Sequence, residues 1–85
     1  MTESEIYAAL TEVFQEVFDD DDIALTAETT AEDIPGWDSQ AHVNLVVAAE
    51  MRFGIRFRTS ELESLHDVGD FVKLIASKRE AMGHV

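Results

Sequence analysis

Apolar residues recur at intervals of three and four along much of this 85-residue chain, and this periodicity restricts the fold more than any other feature. The first series with this spacing consists of Ile6, Leu10, Val13, Phe14 and Val17. Thr2 or Ser4 can cap a helix there, and the acidic run 19–22 is expected to end it. The sequence therefore predicts an amphipathic helix near the N-terminus.

A second helix is predicted from Asp38 or Ser39 to Phe53, where Gly54 supplies the C-terminal stop. A long loop, 23–36, precedes this helix and ends with Pro35-Gly36. The middle of the helix is apolar on nearly all sides, so we expect it to be the most buried helix of the fold. Its valines are assigned to the core first: Val43, Val46 and Val47.

Two further helices complete the pattern. Thr59 or Ser60 should open a short helical turn that contains Leu62 and Leu65. Asp67 can cap the last helix, whose apolar stripe is Val68, Phe71, Val72 and Ile75. The alternating residues 55–58 are too few to form a sheet. The predicted fold is all-α: a small four-helix bundle with a short third helix and a long first loop, in a single domain spanning residues 1–85.

Composition and charge exclude several classes of function. The chain has no cysteine, so it has no disulfide, no thiolate metal site and no cysteine nucleophile. Between Met1 and Met51 there are thirteen acidic residues and no Lys or Arg, whereas the remainder carries five acidic and six basic residues. The net charge of −12 disfavours nucleic acid and anionic lipid and favours basic partners. With neither a signal-peptide charge pattern nor a membrane-length apolar run, we expect a soluble, cytoplasmic, monomeric protein.

Ser39 lies where a helix can accept an anionic group. A serine in the first turn of a buried helix keeps its hydroxyl at the edge of the fold. A phosphate ester there lies beside unpaired backbone N–H groups and the positive end of the helix dipole. The position therefore tolerates a permanently anionic modification that a serine in the middle of a helix would not.

Three short motifs with fixed spacing carry a family resemblance. They are Asp38-Ser39 at the start of the second helix, Phe53-Gly54-Ile55, which begins fourteen residues after the serine, and Val68-Gly69-Asp70, which begins fifteen residues after Phe53. On four helices in this order, they resemble the acyl carrier protein family over about 3–79. In that family an Asp-Ser-Leu motif opens the second helix.

The resemblance implies that Ser39 takes a 4′-phosphopantetheine group from coenzyme A and that the thiol of this arm holds an acyl group as a thioester. The expected partners are a phosphopantetheinyl transferase and the enzymes that load and transfer the acyl group. Asp38 is implied to cap and orient the helix start and to be read by the transferase. No catalytic residue is expected, because the transferase supplies the activation. No metal ligand is expected either, because the histidines have no ligand spacing.

Two features depart from the family pattern and point to a specialised carrier. Gln40 follows the serine where the family has leucine. The outward positions of the second helix are expected to be Gln40, Ala41, Asn44, Ala48 and Met51, none of them charged. Glu50 is the one acid of this helix after Asp38, and Arg52 is expected to offset it. A carrier in fatty-acid-like, polyketide-like or other specialised biosynthesis fits this surface.

Other interpretations of the same residues remain. Asp38-Ser39 can be a helix cap and nothing more. The acidic run 19–22 lacks the spacing of a calcium loop. Trp37 is expected to pack the loop onto the second helix, the three histidines (His42, His66 and His84) are expected to be surface or capping residues, and the small side chain of Ala49 can leave room for an acyl cleft. The alternative functions are an aminoacyl carrier and an unmodified acidic helical adaptor that binds a basic partner.

Overall fold

The computed structural model describes residues 2–82, with side chains for 2–81, and contains four α-helices. They are α1 (Glu3–Phe18), α2 (Ser39–Phe53), α3 (Thr59–Glu63) and α4 (Val68–Met82), with a 3-10 helix, Ala31–Asp33, in the first loop. This part of the chain contains no β-strand. The predicted all-α class, the short third helix and the long first loop are confirmed.

Side chains at both ends of α1 explain its length. The Thr2 hydroxyl accepts a hydrogen bond from the backbone N–H of Glu5 at 3.2 Å, and the Glu5 carboxylate accepts one from Thr2 at 3.0 Å. Donation to the Glu5 carboxylate, first from the backbone N–H of Thr2 and then from its hydroxyl, holds the pKa of Glu5 below its ordinary value. At the other end Asp19 adopts a left-handed conformation with φ of 51°, so the acidic run ends the helix as predicted.

The core lies where α1 packs against α2 and α4. Helix α1 buries five residues (Ile6, Ala9, Leu10, Val13 and Phe14), α2 buries four (Leu45, Val46, Ala49 and Phe53), and α4 buries its complete predicted stripe. The prediction that α2 is the most buried helix is therefore wrong. Each large apolar side chain buried here contributes roughly 1.5–3 kcal/mol.

Two valines assigned to the core from the sequence lie at the surface instead. The side chains of Val43 and Val47 are 60% and 48% exposed, and that of Met51 is 80% exposed, whereas Val46 is buried as predicted. Residues four apart share one face of a helix, so these three form a continuous row on the side of α2 that faces solvent. We call this row the apolar stripe.

The first loop is fastened to the start of α4. The backbone N–H of Val68 donates to the carbonyl of Thr29 at 2.8 Å, and that of Gly69 donates to the carbonyl of Ala27 at 3.0 Å. Thr29 is itself buried. The loop predicted at 23–36 therefore contains a 3-10 helix and anchored backbone. It holds the segment before Ser39 against the bundle.

Helix α3 is short, and an ion pair attaches it to α4. The Lys78 ammonium lies 2.7 Å from the Glu61 carboxylate, which also accepts from the backbone N–H of Arg58 at 2.8 Å. The hydrogen bond from Lys78, followed by that from Arg58, lowers the pKa of Glu61. Leu62 lies in α3, but Leu65 lies beyond its end, contrary to the prediction. Asp67 caps α4 as predicted and accepts from the backbone N–H of Asp70 at 2.9 Å.

Candidate functional site

Ser39 is the first residue of α2, and its side chain is exposed. Asp38 is the N-cap in an extended conformation, and its carboxylate accepts a hydrogen bond from the backbone N–H of Ala41 at 2.8 Å. The turn before it requires Gly36, whose φ of 87° is unfavourable for any residue with a side chain. The sequence therefore places a hydroxyl at the tip of a capped helix that follows a tight turn.

The backbone around Ser39 favours an anion. Within residues 2–82, neither the backbone N–H of Ser39 nor that of Gln40 has a hydrogen-bond acceptor in the protein. The first turn of a helix carries a partial positive charge from such groups. A phosphate group bound to the Ser39 oxygen would therefore find both donors and a favourable field.

Exposure alone does not distinguish Ser39 from the other serines. All five are exposed: Ser4, Ser39, Ser60, Ser64 and Ser77. Ser4 and Ser60 also lie in first helical turns, but α1 is capped by Thr2, and α3 has only five residues and no aspartate cap. No side chain of the described residues forms a hydrogen bond with the Ser39 hydroxyl, so any base that activates it must come from another molecule.

An aromatic cluster supports the segment before Ser39. The Trp37 ring meets Phe14 edge to face, with centroids 5.1 Å apart and planes at 84°, and lies 6.3 Å from the ring of Phe18. The indole N–H of Trp37 also donates to Nδ1 of His42 at 3.2 Å. The predicted packing role of Trp37 is confirmed. The interpretation of His42 as a surface or capping residue is wrong, because it is half-buried and hydrogen-bonded to this indole.

A partly open cavity of about 120 Å³ adjoins the first turn of α2. Its lining comprises Ala31, Trp37, His42, Leu65, His66, Asp67 and Phe71. Ala49, which the sequence suggested as the place for a cleft, is fully buried and does not border this cavity. His66 is exposed, and His84 lies outside the described residues.

The exposed face of α2 is uncharged, as predicted, but two of its residues differ from the predicted set. Gln40, Asn44 and Met51 are exposed, whereas Ala41 and Ala48 are half-buried. Val43 and Val47 of the apolar stripe occupy the exposed face instead. The two charged residues near the C-terminal end of α2, Glu50 and Arg52, interact with groups outside this face. Arg52 pairs with Glu12 at 2.8 Å and not with Glu50, which accepts from the backbone N–H of Phe57 at 2.9 Å.

Within the described ranges, no helix is long and apolar enough to cross a membrane, and no three His, Cys, Asp or Glu residues are grouped to hold a metal ion.

Two known proteins cover nearly the whole chain. An acyl carrier protein from Acidothermus cellulolyticus is 35% identical over 77 residues, which is 91% of this chain and 92% of that protein. This chain belongs to the acyl carrier protein family. The solution structure of a holo acyl carrier protein from Geobacter metallireducens matches with a TM-score of 0.85 and 45% identity, covering 93% of this chain and 92% of that one. No family model matches the sequence.

Family membership confirms the resemblance drawn from the three motifs. Acyl carrier proteins are carriers that use a phosphopantetheine arm and catalyse no reaction, so this protein is not an enzyme. The contact between Trp37 and His42 and the outward direction of Val43 and Val47 were not predicted from the sequence, whereas the exposure of Met51 was. Each feature has a trace in the sequence: His42 follows Trp37 by five residues, and the residues of the apolar stripe are four apart. Neither spacing shows which neighbour covers a residue.

Proposed function

We propose that Ser39 carries a 4′-phosphopantetheine arm and that this acyl carrier serves a specialised biosynthetic pathway. One observation carries the assignment: Ser39 is the exposed first residue of α2, directly after the Asp38 cap. The family supplies the chemistry, and the aspartate cap directly before Ser39 distinguishes it from Ser4 and Ser60, which also lie in first helical turns.

The residues present suit the group. During attachment the Ser39 oxygen forms a bond to the phosphorus that bears the pantetheine, the pyrophosphate bond of coenzyme A breaks, and adenosine 3′,5′-bisphosphate leaves. The transferase accepts the hydroxyl proton, because no side chain of residues 2–81 forms a hydrogen bond with the Ser39 hydroxyl. The new phosphodiester retains one negative charge beside the free N–H groups of Ser39 and Gln40. The arm ends in a thiol, which the chain cannot provide because it has no cysteine.

The exposed face of α2 is the surface that we assign to partner enzymes. Its centre is the apolar stripe, and Gln40 and Asn44 flank it with hydrogen-bonding groups. A partner with a strongly basic contact surface finds no carboxylate on this face, because Glu50 is turned toward the backbone of Phe57. An apolar partner surface instead gains from covering the stripe. This chemistry favours dedicated enzymes of a specialised pathway.

The proposal is tested by attachment in vitro. The purified chain is incubated with coenzyme A and a broad-specificity phosphopantetheinyl transferase, and its intact mass is measured. The wild type should gain one phosphopantetheine, whereas Ser39→Ala should gain none. Ser60→Ala is the matched control, because Ser60 is also exposed in a first helical turn, and this variant should be modified like the wild type. Failure of the wild type to react with several transferases would favour the unmodified adaptor.

The cytoplasmic location, the monomeric state and the single domain over residues 1–85 stay predictions from the sequence.

A further inference from the structure

We propose that the hydrogen bond between Trp37 and His42 is a positioning contact that holds Ser39 for modification, and that it operates only while Nδ1 of His42 is unprotonated. This inference rests on the proposed attachment at Ser39. It assigns a role to two residues that packing alone does not explain.

The geometry of the pair sets the tautomer of a neutral His42. A tryptophan indole can only donate, so Nδ1 of His42, 3.2 Å from Nε1, must be the acceptor. In a neutral imidazole the proton then resides on Nε2. The ring planes are nearly parallel, 17° apart, with centroids 6.1 Å apart, so the two rings are also stacked.

The bond closes a small loop of chain with Ser39 inside it. Trp37 lies two residues before Ser39, and His42 lies three residues after it, in the same first turn of α2. Trp37 is in turn packed on Phe14 of α1. The Asp38 cap restrains the helix start, but its contact with Ala41 does not attach that start to α1. The Trp37–His42 bond makes this attachment and thereby limits the directions in which the Ser39 hydroxyl can point.

Protonation removes the contact. An imidazolium carries N–H groups on both nitrogens, so Nδ1 of His42 can no longer accept from the indole. The other titratable groups around the site are few. Asp38 lies on the same helix start, His66 and Asp67 face the cavity from the segment before α4, and α1 contributes the aromatic rings Phe14 and Phe18. Histidine is the side chain that ordinarily changes charge between pH 5 and 8. The contact should therefore be lost in any molecule whose His42 has taken up this second proton.

The spectroscopic test uses the single tryptophan of the chain, whose indole N–H gives one proton resonance. In the wild type this resonance should shift as the pH is lowered from 8 to 5. In His42→Asn it should not, because the asparagine oxygen can accept from the indole and does not titrate. His66→Asn removes the other histidine of the cavity and should keep the shift. A wild-type resonance that does not respond to pH would overturn the proposal.

The functional test is the kcat/KM of phosphopantetheine transfer. At pH 8, Trp37→Phe and His42→Leu should each be slower than the wild type by about three- to tenfold, the size expected for one lost hydrogen bond. The double variant should be no slower than either single variant, because all three lose the same contact. His42→Asn should react like the wild type at pH 8 and gain on it progressively toward pH 6.

The two proposals fail differently. If the wild type is modified and both single variants react at its rate, the positioning role is overturned and the attachment at Ser39 stands. If the wild type is not modified at all, the proposed function is overturned and the positioning role falls with it. Circular dichroism of each variant checks that Trp37→Phe and His42→Leu remain folded. If they unfold, the ratio of wild type to His42→Asn across pH still decides, and an unchanged ratio would overturn the role.

Discussion

Asp38 combines two roles at the residue scale, and the structure allows them to be separated. Its carboxylate caps α2 through the backbone N–H of Ala41, and it is the only acidic side chain of residues 2–81 that forms a hydrogen bond with the first turn of that helix. A cap at this position needs only an oxygen that accepts a hydrogen bond. The family resemblance implies that a transferase also recognises this aspartate, and that recognition involves its negative charge. A variant that retains the oxygen and removes the charge distinguishes the two.

We expect Asp38→Ala to lower the free energy of unfolding by about 0.5–2 kcal/mol, because the cap is lost. Asp38→Asn should stay close to the wild type in stability, since asparagine caps nearly as well. Urea unfolding followed by circular dichroism measures both. If the transferase reads the charge, Asp38→Asn should be modified more slowly despite its stability. Equal stability of Asp38→Ala and the wild type would contradict the role as a cap.

At the scale of helices, the features that could be predicted from the sequence are those that depend on residues nearby in the chain. The ends of α2 at Ser39 and Phe53 and the caps at Thr2 and Asp67 follow from local chemistry, and the structure confirms them. The burial of α2 was not predictable in the same way. Apolar residues occupy two of its sides, and only the position of α1 decides that Leu45 is covered and Val47 is not.

The same distinction between local and tertiary features applies to the candidate site. Ser39 and Asp38 could be selected from the sequence because a helix start is a local feature. The hydrogen bond of His42 depends on how Trp37 packs against Phe14, which lies more than twenty residues earlier in the chain. The partners of Arg52 and Glu50 were likewise set by tertiary contacts. These side chains had several possible partners, and the sequence does not rank them.

Helix α2 carries the prediction about partner recognition. Met51→Glu places a charge on the apolar stripe, where a partner surface would desolvate it at a cost on the order of 1–3 kcal/mol. Transfer of the acyl group from the cognate enzyme should therefore slow, and the wild-type rate should change little with salt. Ser77→Glu is the matched control, because it adds the same charge to an exposed position on α4. A faster Met51→Glu carrier, or a steep salt dependence of the wild type, would show that the stripe is not the recognition surface.

Charge is the dominant feature at the scale of the whole molecule. The thirteen acidic residues up to Met51 have no basic residue in their own part of the chain. Within the described residues, the pair between Arg52 and Glu12 is the one ion pair that joins the two parts. It is half exposed and contributes little, so most of the repulsion in the acidic part is unrelieved.

We therefore expect the melting temperature to rise as sodium chloride increases from about 10 mM to about 200 mM, because screening shortens the range of this repulsion. Divalent cations should raise it further by condensing near the acidic run 19–22. Thermal unfolding followed by circular dichroism at several salt concentrations is the measurement. A melting temperature that is indifferent to salt would mean that the repulsion is already relieved by contacts of Arg52, Arg56 and Arg58.

The attachment at Ser39 is tested most directly by mapping the modification in the wild-type protein. The chain offers five exposed serines that a transferase could reach, so the map is a choice among real alternatives. After reaction with coenzyme A and a transferase, the protein is digested and its peptides are fragmented in a mass spectrometer. We expect phosphopantetheine on the peptide that contains Asp38-Ser39, with the group assigned to Ser39 and every other serine unmodified. Phosphopantetheine on Ser4, Ser60, Ser64 or Ser77, or on no peptide, would contradict it.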